Sequence, residues 1–272
     1  MSYRIVSADP AGNITIFVLD PVESGEERAS VAKALLAEPS LGAEQVGFVR
    51  PPPGKPDSPW RLEMMGGEFC GNAARSFGLY VAREMGLSGL ATVSVGISGS
   101  TEPLPVRVDT ETGRAEVKIP GPRGVESLEF EGRRLPVYIF EGITHLIFPD
   151  SVPSRDLVFA LRDAWKAAAG MSPEARRSMA AFGLMFWDSG KKIMRPAVYV
   201  EAADSLVFES SCGSGTAALA AWLARGLRDG EGYYEAAQPG GIIEARVTKK
   251  DGAVRDISIG GKVALIGPMQ AL

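Results

Sequence analysis

The sequence predicts an α+β fold made of two pseudo-symmetric halves, each a sheet around one central helix. Three observations carry that expectation. Short strand-like runs outnumber the helical stretches and do not alternate with them regularly, as a parallel doubly wound sheet would require. Thirty-two glycines and 19 prolines, spread over all 272 residues, mark many turns between short strands. Two apolar helical segments, each opened by a Cys-Gly pair, stand in different halves of the chain.

The strands come first in the argument because they dominate. Alternating or β-branched runs at Ile14–Leu19, Gln45–Val49, Thr92–Ile97, Val106–Val108, Ala115–Ile119, Ala197–Val200 and Ile242–Val247 read as strands, and the first twenty residues read as a strand pair. Helical periodicity appears at Glu26–Ala37, Gly71–Met85, Arg155–Ala169 and Gly213–Leu227, with a shorter stretch near Pro173–Met179. In the second of these, Ala74, Phe77, Gly78, Val81 and Ala82 share a face. In the fourth, Thr216, Leu219, Ala220, Leu223, Ala224 and Leu227 do the same. Both are rich in Gly and Ala, so each is expected to be enclosed by its own sheet, and the chain reads as a duplicated unit. The Pro- and Gly-rich segment Ile119–Val125 is the expected junction. It divides an N-terminal half, 1–120, from a C-terminal half, 121–261.

Composition excludes several function classes. With 45% apolar residues the chain can bury a substantial core, and a net charge of −4 offers no basic surface for a phosphate backbone, so no nucleic-acid partner is expected. No run approaches the roughly 18 apolar residues that span a bilayer, and the N-terminus lacks the pattern of a signal peptide. A soluble cytoplasmic protein is expected, with its only two cysteines, Cys70 and Cys212, as thiols. A zinc site from these cysteines and His145, the sole histidine, would lack the short paired ligand spacing of structural sites. No metal is expected.

The chemistry concentrates at the two helix starts, Cys70-Gly71-Asn72-Ala73 and Cys212-Gly213-Ser214-Gly215. A helix N-terminus carries backbone N–H groups without partners and a partial positive charge, so it collects anions and can lower a thiol pKa. If the halves face one another, two such ends hold one carboxylate with a sulfur on either side of its α-carbon. That arrangement suits inversion of a stereocentre, which needs a base on one face and an acid on the other. Donors at the carboxylate stabilise the charge that develops as the α-proton leaves. Nothing signals pyridoxal phosphate, and no cofactor is required.

The stretches "PAGNITIFVLD", "CGNAARSFG", "GITHLIFPD" and "CGSGTAALAAW" resemble, in order and over essentially the whole chain, the motifs of the diaminopimelate epimerase-like superfamily of cofactor-independent racemases. Within it, "AEQVGFV", "GGEFCGNA", "ESSCGSGTA" and "QPGG" are most similar to the histidine racemases of staphylopine-type metallophore synthesis. The resemblance implies two similar halves, each a curled sheet around a central helix, with the last strand, 262–272, returning to the first half. It implies a small-molecule amino-acid substrate and Cys70 and Cys212 as the acid–base pair; a homodimer is possible on the sequence. The N–H groups of Gly71, Asn72, Gly213 and Ser214 would hold the substrate carboxylate. Asn13 matches a substrate-binding asparagine, Gln45 with Glu44 beside it a polar group against the substrate, Glu209 the glutamate before the second cysteine, and His145 a residue that adjusts the cysteine pKa.

The departures bear on substrate. Diaminopimelate epimerases carry an Arg after that glutamate and asparagines that hold a second carboxylate, where this chain has Ser210, Met64 and Ile143. Losing a carboxylate clamp removes charge-assisted bonds worth about 1.5 to 3 kcal/mol each, which favours histidine over diaminopimelate. Arg195 falls near another of those asparagines and could partly replace the lost charge. Simpler roles stand beside these: Asn13 suits a turn in "DPAGN", and Glu44 and Glu209 suit solvated strand ends.

Overall fold

A computed structural model describes residues 2–52, 59–168, 171–177, 180–201 and 204–272. In chain order the first elements are β1 (Tyr3–Asp9), β2 (Thr15–Val18), α1 (Gly25–Leu36), β3 (Gln45–Arg50), β4 (Trp60–Met64), α2 (Gly71–Glu84), β5 (Leu90–Ile97), β6 (Leu104–Asp109) and β7 (Arg114–Ile119). There follow β8 (Gly124–Phe130), β9 (Arg133–Ile139), β10 (Thr144–Pro149), α3 (Arg155–Ala167), α4 (Pro173–Arg177), β11 (Ala181–Asp188), β12 (Ile193–Val200) and β13 (Ser205–Phe208). The chain closes with α5 (Gly213–Leu223), β14 (Gly230–Gln238), β15 (Gly241–Lys250), β16 (Ala253–Lys262) and β17 (Ala264–Ala271). The fold mixes many strands with a few helices, in keeping with the α+β expectation. The expected ends of two helices, Ala169 and Ser178–Met179, lie outside the described residues.

Contact density divides the chain into two units, Met1–Lys118 with Ile259–Leu272, and Ile119–Ser258. In the first unit β1 pairs antiparallel with both β2 and β17. β2 and β3 are parallel across α1, and β3 and β4 are antiparallel. β4 and β5 are parallel across α2, and β5, β6 and β7 form a meander. β2 is buried on both faces, the pattern of a strand covered by helices on either side. Ile16 and Val18 pack with Val31, Ala32 and Leu35 of α1. Phe17 points the other way, edge-on to Phe77 of α2 at 5.6 Å between centroids.

The second unit repeats this order of pairings. β9 and β10 are antiparallel, β10 and β11 parallel across α3 and α4, and β11 and β12 antiparallel. β12 and β14 are parallel across α5, and β14 and β15 antiparallel. Val158, Leu161 and Trp165 of α3 lie on Leu146, Phe148, Phe182, Leu184 and Phe186, while α5 packs on β10, β11 and β15.

Each Cys-headed helix departs from the one-faced pattern that its periodicity suggests. Every residue of α2 from Asn72 to Ala82 is buried, including Arg75 and Ser76. In α5 Gly213 and all residues from Gly215 to Ala221 are buried. In α5, where alanine and glycine dominate, neighbours can approach closely on every side, whereas α2 is enclosed with bulky side chains such as Phe77, Leu79 and Tyr80 buried around it. α5 also ends earlier than expected: a 3-10 turn, Ala224–Gly226, takes over before Leu227.

Candidate active site

Both cysteines are N-cap residues with nearly the same backbone. Cys70 has φ −130° and ψ 114° ahead of α2, and Cys212 has φ −129° and ψ 113° ahead of α5. In each the sulfur turns back over the first turn and accepts a backbone N–H, Ala73 N at 3.4 Å for Cys70 and Gly215 N at 3.4 Å for Cys212. A sulfur thus stands where a Ser or Asp oxygen usually caps a helix. Both thiols are free.

The loop entering Cys70 is fixed by Ser98 and Gly99. Ser98 Oγ donates to Glu68 O at 3.0 Å and accepts Met64 N at 2.9 Å. Gly99 sits at φ +74°, and a Cβ there would lie 2.8 Å from the Phe69 Cα, so only glycine lets the turn press against the residue before Cys70. Behind the cysteine runs a line of polar contacts. Arg75 Nε donates to Asn72 Oδ1 at 3.2 Å, Asn72 Nδ2 to Asn13 Oδ1 at 3.3 Å, and Asn13 Nδ2 to Glu44 Oε2 at 2.7 Å. Thr15 Oγ1 donates to Gln45 Oε1 at 3.4 Å, and the Gln45 side chain also reaches the Cys70 sulfur. The first unit therefore gathers Cys70, Gly71, Asn72, Asn13, Glu44 and Gln45 at one helix end.

The second unit gathers Cys212, Gly213, Ser214, Glu209 and His145. Ser214 Oγ lies 3.7 Å from the Cys212 sulfur and 2.8 Å from His145 Nε2. Glu209 hydrogen-bonds the same sulfur. The His145 ring is wholly buried on β10 and lies over Gly183 of β11, where a methyl group would collide with Nδ1. The cap backbone is braced by Gln238, which accepts Cys212 N at 2.9 Å and donates to Thr216 Oγ1 at 2.9 Å; Thr216 Oγ1 in turn donates to Cys212 O at 2.7 Å.

The electrostatics overturn one expectation. The helix N–H groups do favour the thiolates, but burial costs more. Cys70 is pushed up to about 11 by desolvation, with the Glu68 charge adding to it and the N–H groups of Ala73 and Asn72 and the Gln45 side chain opposing. Cys212 rises well above the usual thiol range, first through burial and then through Glu209, which repels the thiolate and accepts from the thiol. Burial likewise lowers His145 to about 3, so its imidazole is neutral at physiological pH.

Sequence reasoning passed over Arg75, Gln238, Thr216 and Ser98 as site residues. Arg75 carries a signal in hindsight: it is a lone charge in an otherwise small and apolar helical run, three residues after Asn72 and so on its face. Of the substrate-related departures, Met64 is buried at the end of β4, while Arg195 is exposed on β12 and lines a surface groove with Asp150, Asp188 and Lys191. Among the described residues no group of three or more His, Cys, Asp and Glu side chains could hold a metal ion, and no helix is long and apolar enough to cross a membrane.

The backbone that carries these helix ends is the fold of racemases and epimerases. Superposed on a hydroxyproline epimerase from Agrobacterium vitis, it gives a TM-score of 0.67 over 99% of this chain and 92% of that one, at 13% identity. The sequence narrows the class: the histidine racemase CntK N-terminal domain family matches residues 3–270, and the chain belongs to this family of amino-acid racemases. It is 33% identical over 223 residues to the histidine racemase of Fusobacterium nucleatum subsp. nucleatum, covering 80% of each chain. With the histidine racemase of Staphylococcus aureus it shares 26% identity over 245 residues, 86% of this chain and 85% of that one.

Proposed function

We propose that the chain interconverts L- and D-histidine by a cofactor-independent two-base mechanism, with Cys70 and Cys212 on opposite faces of the α-carbon. The observation that carries the proposal is the matched pair of helix caps, two sulfurs with the same backbone geometry, each at the N-terminus of a buried helix. The repeated order of strand pairings supports two pseudo-symmetric halves of the diaminopimelate epimerase type, 1–120 with 262–272 around Cys70 and 121–261 around Cys212.

In this reading the N–H groups of Gly71, Asn72, Gly213 and Ser214 receive the substrate carboxylate, and Asn13, Glu44, Gln45 and Glu209 complete the surroundings. One thiolate takes the α-proton and becomes a thiol, leaving a carbanion whose charge spreads onto the carboxylate oxygens. The other thiol delivers its proton to the opposite face and becomes the thiolate. The N–H donors stabilise the charge on the carboxylate as it develops. The high thiol pKa values serve this chemistry, because a desolvated thiolate is a stronger base toward a weakly acidic carbon, at the cost of a small ionised fraction. Glu209 can hold the proton that Cys212 gives up, and His145 orients Ser214 beside that sulfur. The reaction requires reduced thiols, as the cytoplasm provides.

Incubation of L-histidine with the enzyme in D₂O under reducing conditions tests this. Deuterium is expected at the α-carbon together with inversion, and both are expected to vanish in Cys70→Ser and Cys212→Ser. Exchange with diaminopimelate but not with histidine would overturn the substrate assignment, and exchange that survives both substitutions would overturn the mechanism.

A further inference from the structure

We propose that His145 is held as the Nε2–H tautomer and thereby leaves the Ser214 hydroxyl hydrogen for the Cys212 sulfur, so that His145 is a positioning residue acting through Ser214. The consequence for turnover rests on the reading of Cys212 as one of two proton-carrying thiols; the tautomer itself does not. His145 has no accessible surface and its ring is neutral, so one nitrogen carries a hydrogen and the other a lone pair. Nε2 lies 2.8 Å from Ser214 Oγ, whereas Nδ1 is buried with no hydrogen-bond partner among the described residues.

What faces Nδ1 decides between the two forms. A Cβ built on Gly183 would fall on this nitrogen, and it would lie 2.7 Å from Cε1. The hydrogen that glycine carries in place of that Cβ therefore points at Nδ1. A lone pair accommodates a C–H aimed at it. An N–H there would press hydrogen against hydrogen. It would also be a buried donor with nothing to accept it, which is rarer in folded proteins than an under-used acceptor. The proton belongs on Nε2, which donates to Ser214 Oγ.

A serine hydroxyl has a single hydrogen. Under the opposite tautomer Ser214 would donate it to Nε2 and would have none for another partner. With Nε2–H as the donor, Ser214 Oγ accepts from the ring and keeps its hydrogen, and Cys212 Sγ stands 3.7 Å away. In the thiol form the sulfur's own hydrogen goes to Glu209. Once that proton has left, the serine's hydrogen is the one between Oγ and Sγ, and the Gly215 N–H reaches the same sulfur at 3.4 Å. Both donors are in place before the charge appears, so the thiolate forms without rearrangement of these neighbours.

Because the chain has one histidine, the tautomer can be read without assignment work. In protein labelled with ¹⁵N-histidine, two-bond ¹H–¹⁵N correlation spectra at pH 7 are expected to show Nε2 as a pyrrole-type nitrogen and Nδ1 as a pyridine-type one. The reverse pattern, or two averaged signals, would overturn the proposal. The link to the sulfur is read by iodoacetamide alkylation of the reduced protein, with Cys212 followed against Cys70 by mass spectrometry. Ser214→Ala removes one hydrogen bond to the thiolate and is expected to slow Cys212 about fivefold relative to Cys70, while Ser214→Thr, which keeps a hydroxyl, stays within about twofold of wild type. An unslowed Cys212 in Ser214→Ala, or equal slowing in both variants, would overturn the hydroxyl's role as donor. Neither readout needs turnover, so a chain that racemises no amino acid would overturn the functional reading and leave this inference standing.

Discussion

His145 allows one prediction to be worked through in numbers. The chain has no other histidine, so between about pH 5 and 7 this residue is the group whose charge change dominates. Burial lowers it from 6.5 to about 3, which means that the fold accepts only the neutral ring. As pH falls below 6.5 the unfolded chain takes up a proton that the native state refuses, and stability drains until the native pKa is reached; above 6.5 the contribution is complete and flat. The loss between pH 8 and pH 5 comes to about 2 kcal/mol, with a slope approaching about 1.4 kcal/mol per pH unit. The perturbation is His145→Gln, whose amide can still reach Ser214 but does not titrate. Urea unfolding of both proteins at pH 5, 6, 7 and 8 gives the difference in stability at each pH. That difference should shrink by about 2 kcal/mol on acidification, because only the wild type carries the histidine penalty. A difference that stays constant over this range would refute the account of a neutral, buried imidazole.

Other expectations follow from the same geometry. Cys70→Ser and Cys212→Ser each replace a sulfur cap by an oxygen cap, so racemisation should fall by about 10²-fold or more while melting temperatures move little; a large loss of stability would contradict the caps as described. With Cys70 at about 11, its alkylation by iodoacetamide at pH 7.5 should run about a hundredfold slower than that of a free thiol and rise with pH without levelling off below pH 10; a plateau by pH 9 would contradict the burial argument. Gly183→Ala should destabilise by about 1 to 3 kcal/mol, because the new methyl meets His145 Nδ1, whereas Gly190→Ala in an exposed turn should be near neutral; equal effects in urea unfolding would count against the close packing.

The elements were legible in the sequence where local chemistry decides them. Each cysteine begins its helix because a residue with a small polar side chain followed by glycine makes a helix start, and α2 and α5 begin where the Cys-Gly pairs place them. The strand pair β1–β2 was legible from alternation alone. Less legible were properties that depend on what surrounds an element. The periodic face of α2 gave no hint that its other faces are covered too, since Arg75, Ser76 and Tyr80 there carry polar groups that more often reach solvent. The helix dipole likewise suggested acidic thiols, while desolvation at each helix end makes the thiolate costly. Arg75 escaped notice because a single arginine in a helix usually reaches solvent, and its partners Pro10 and Gly261 come from 65 and 186 residues away in sequence.

The sulfur caps have a consequence for how loss-of-function variants must be chosen. An alanine at position 70 or 212 deletes two things together, a group that exchanges protons and the acceptor that closes the first turn of a helix. The resulting inactivity would have two causes with no way of apportioning them. Serine separates the two, since its hydroxyl keeps the turn closed and is far too weak an acid to stand in for the thiol. The same coupling runs in the other direction: whenever a sulfur loses its proton, its hold on the amide of Ala73 or Gly215 strengthens, so the protonation state of the thiol is registered in the rigidity of the helix behind it.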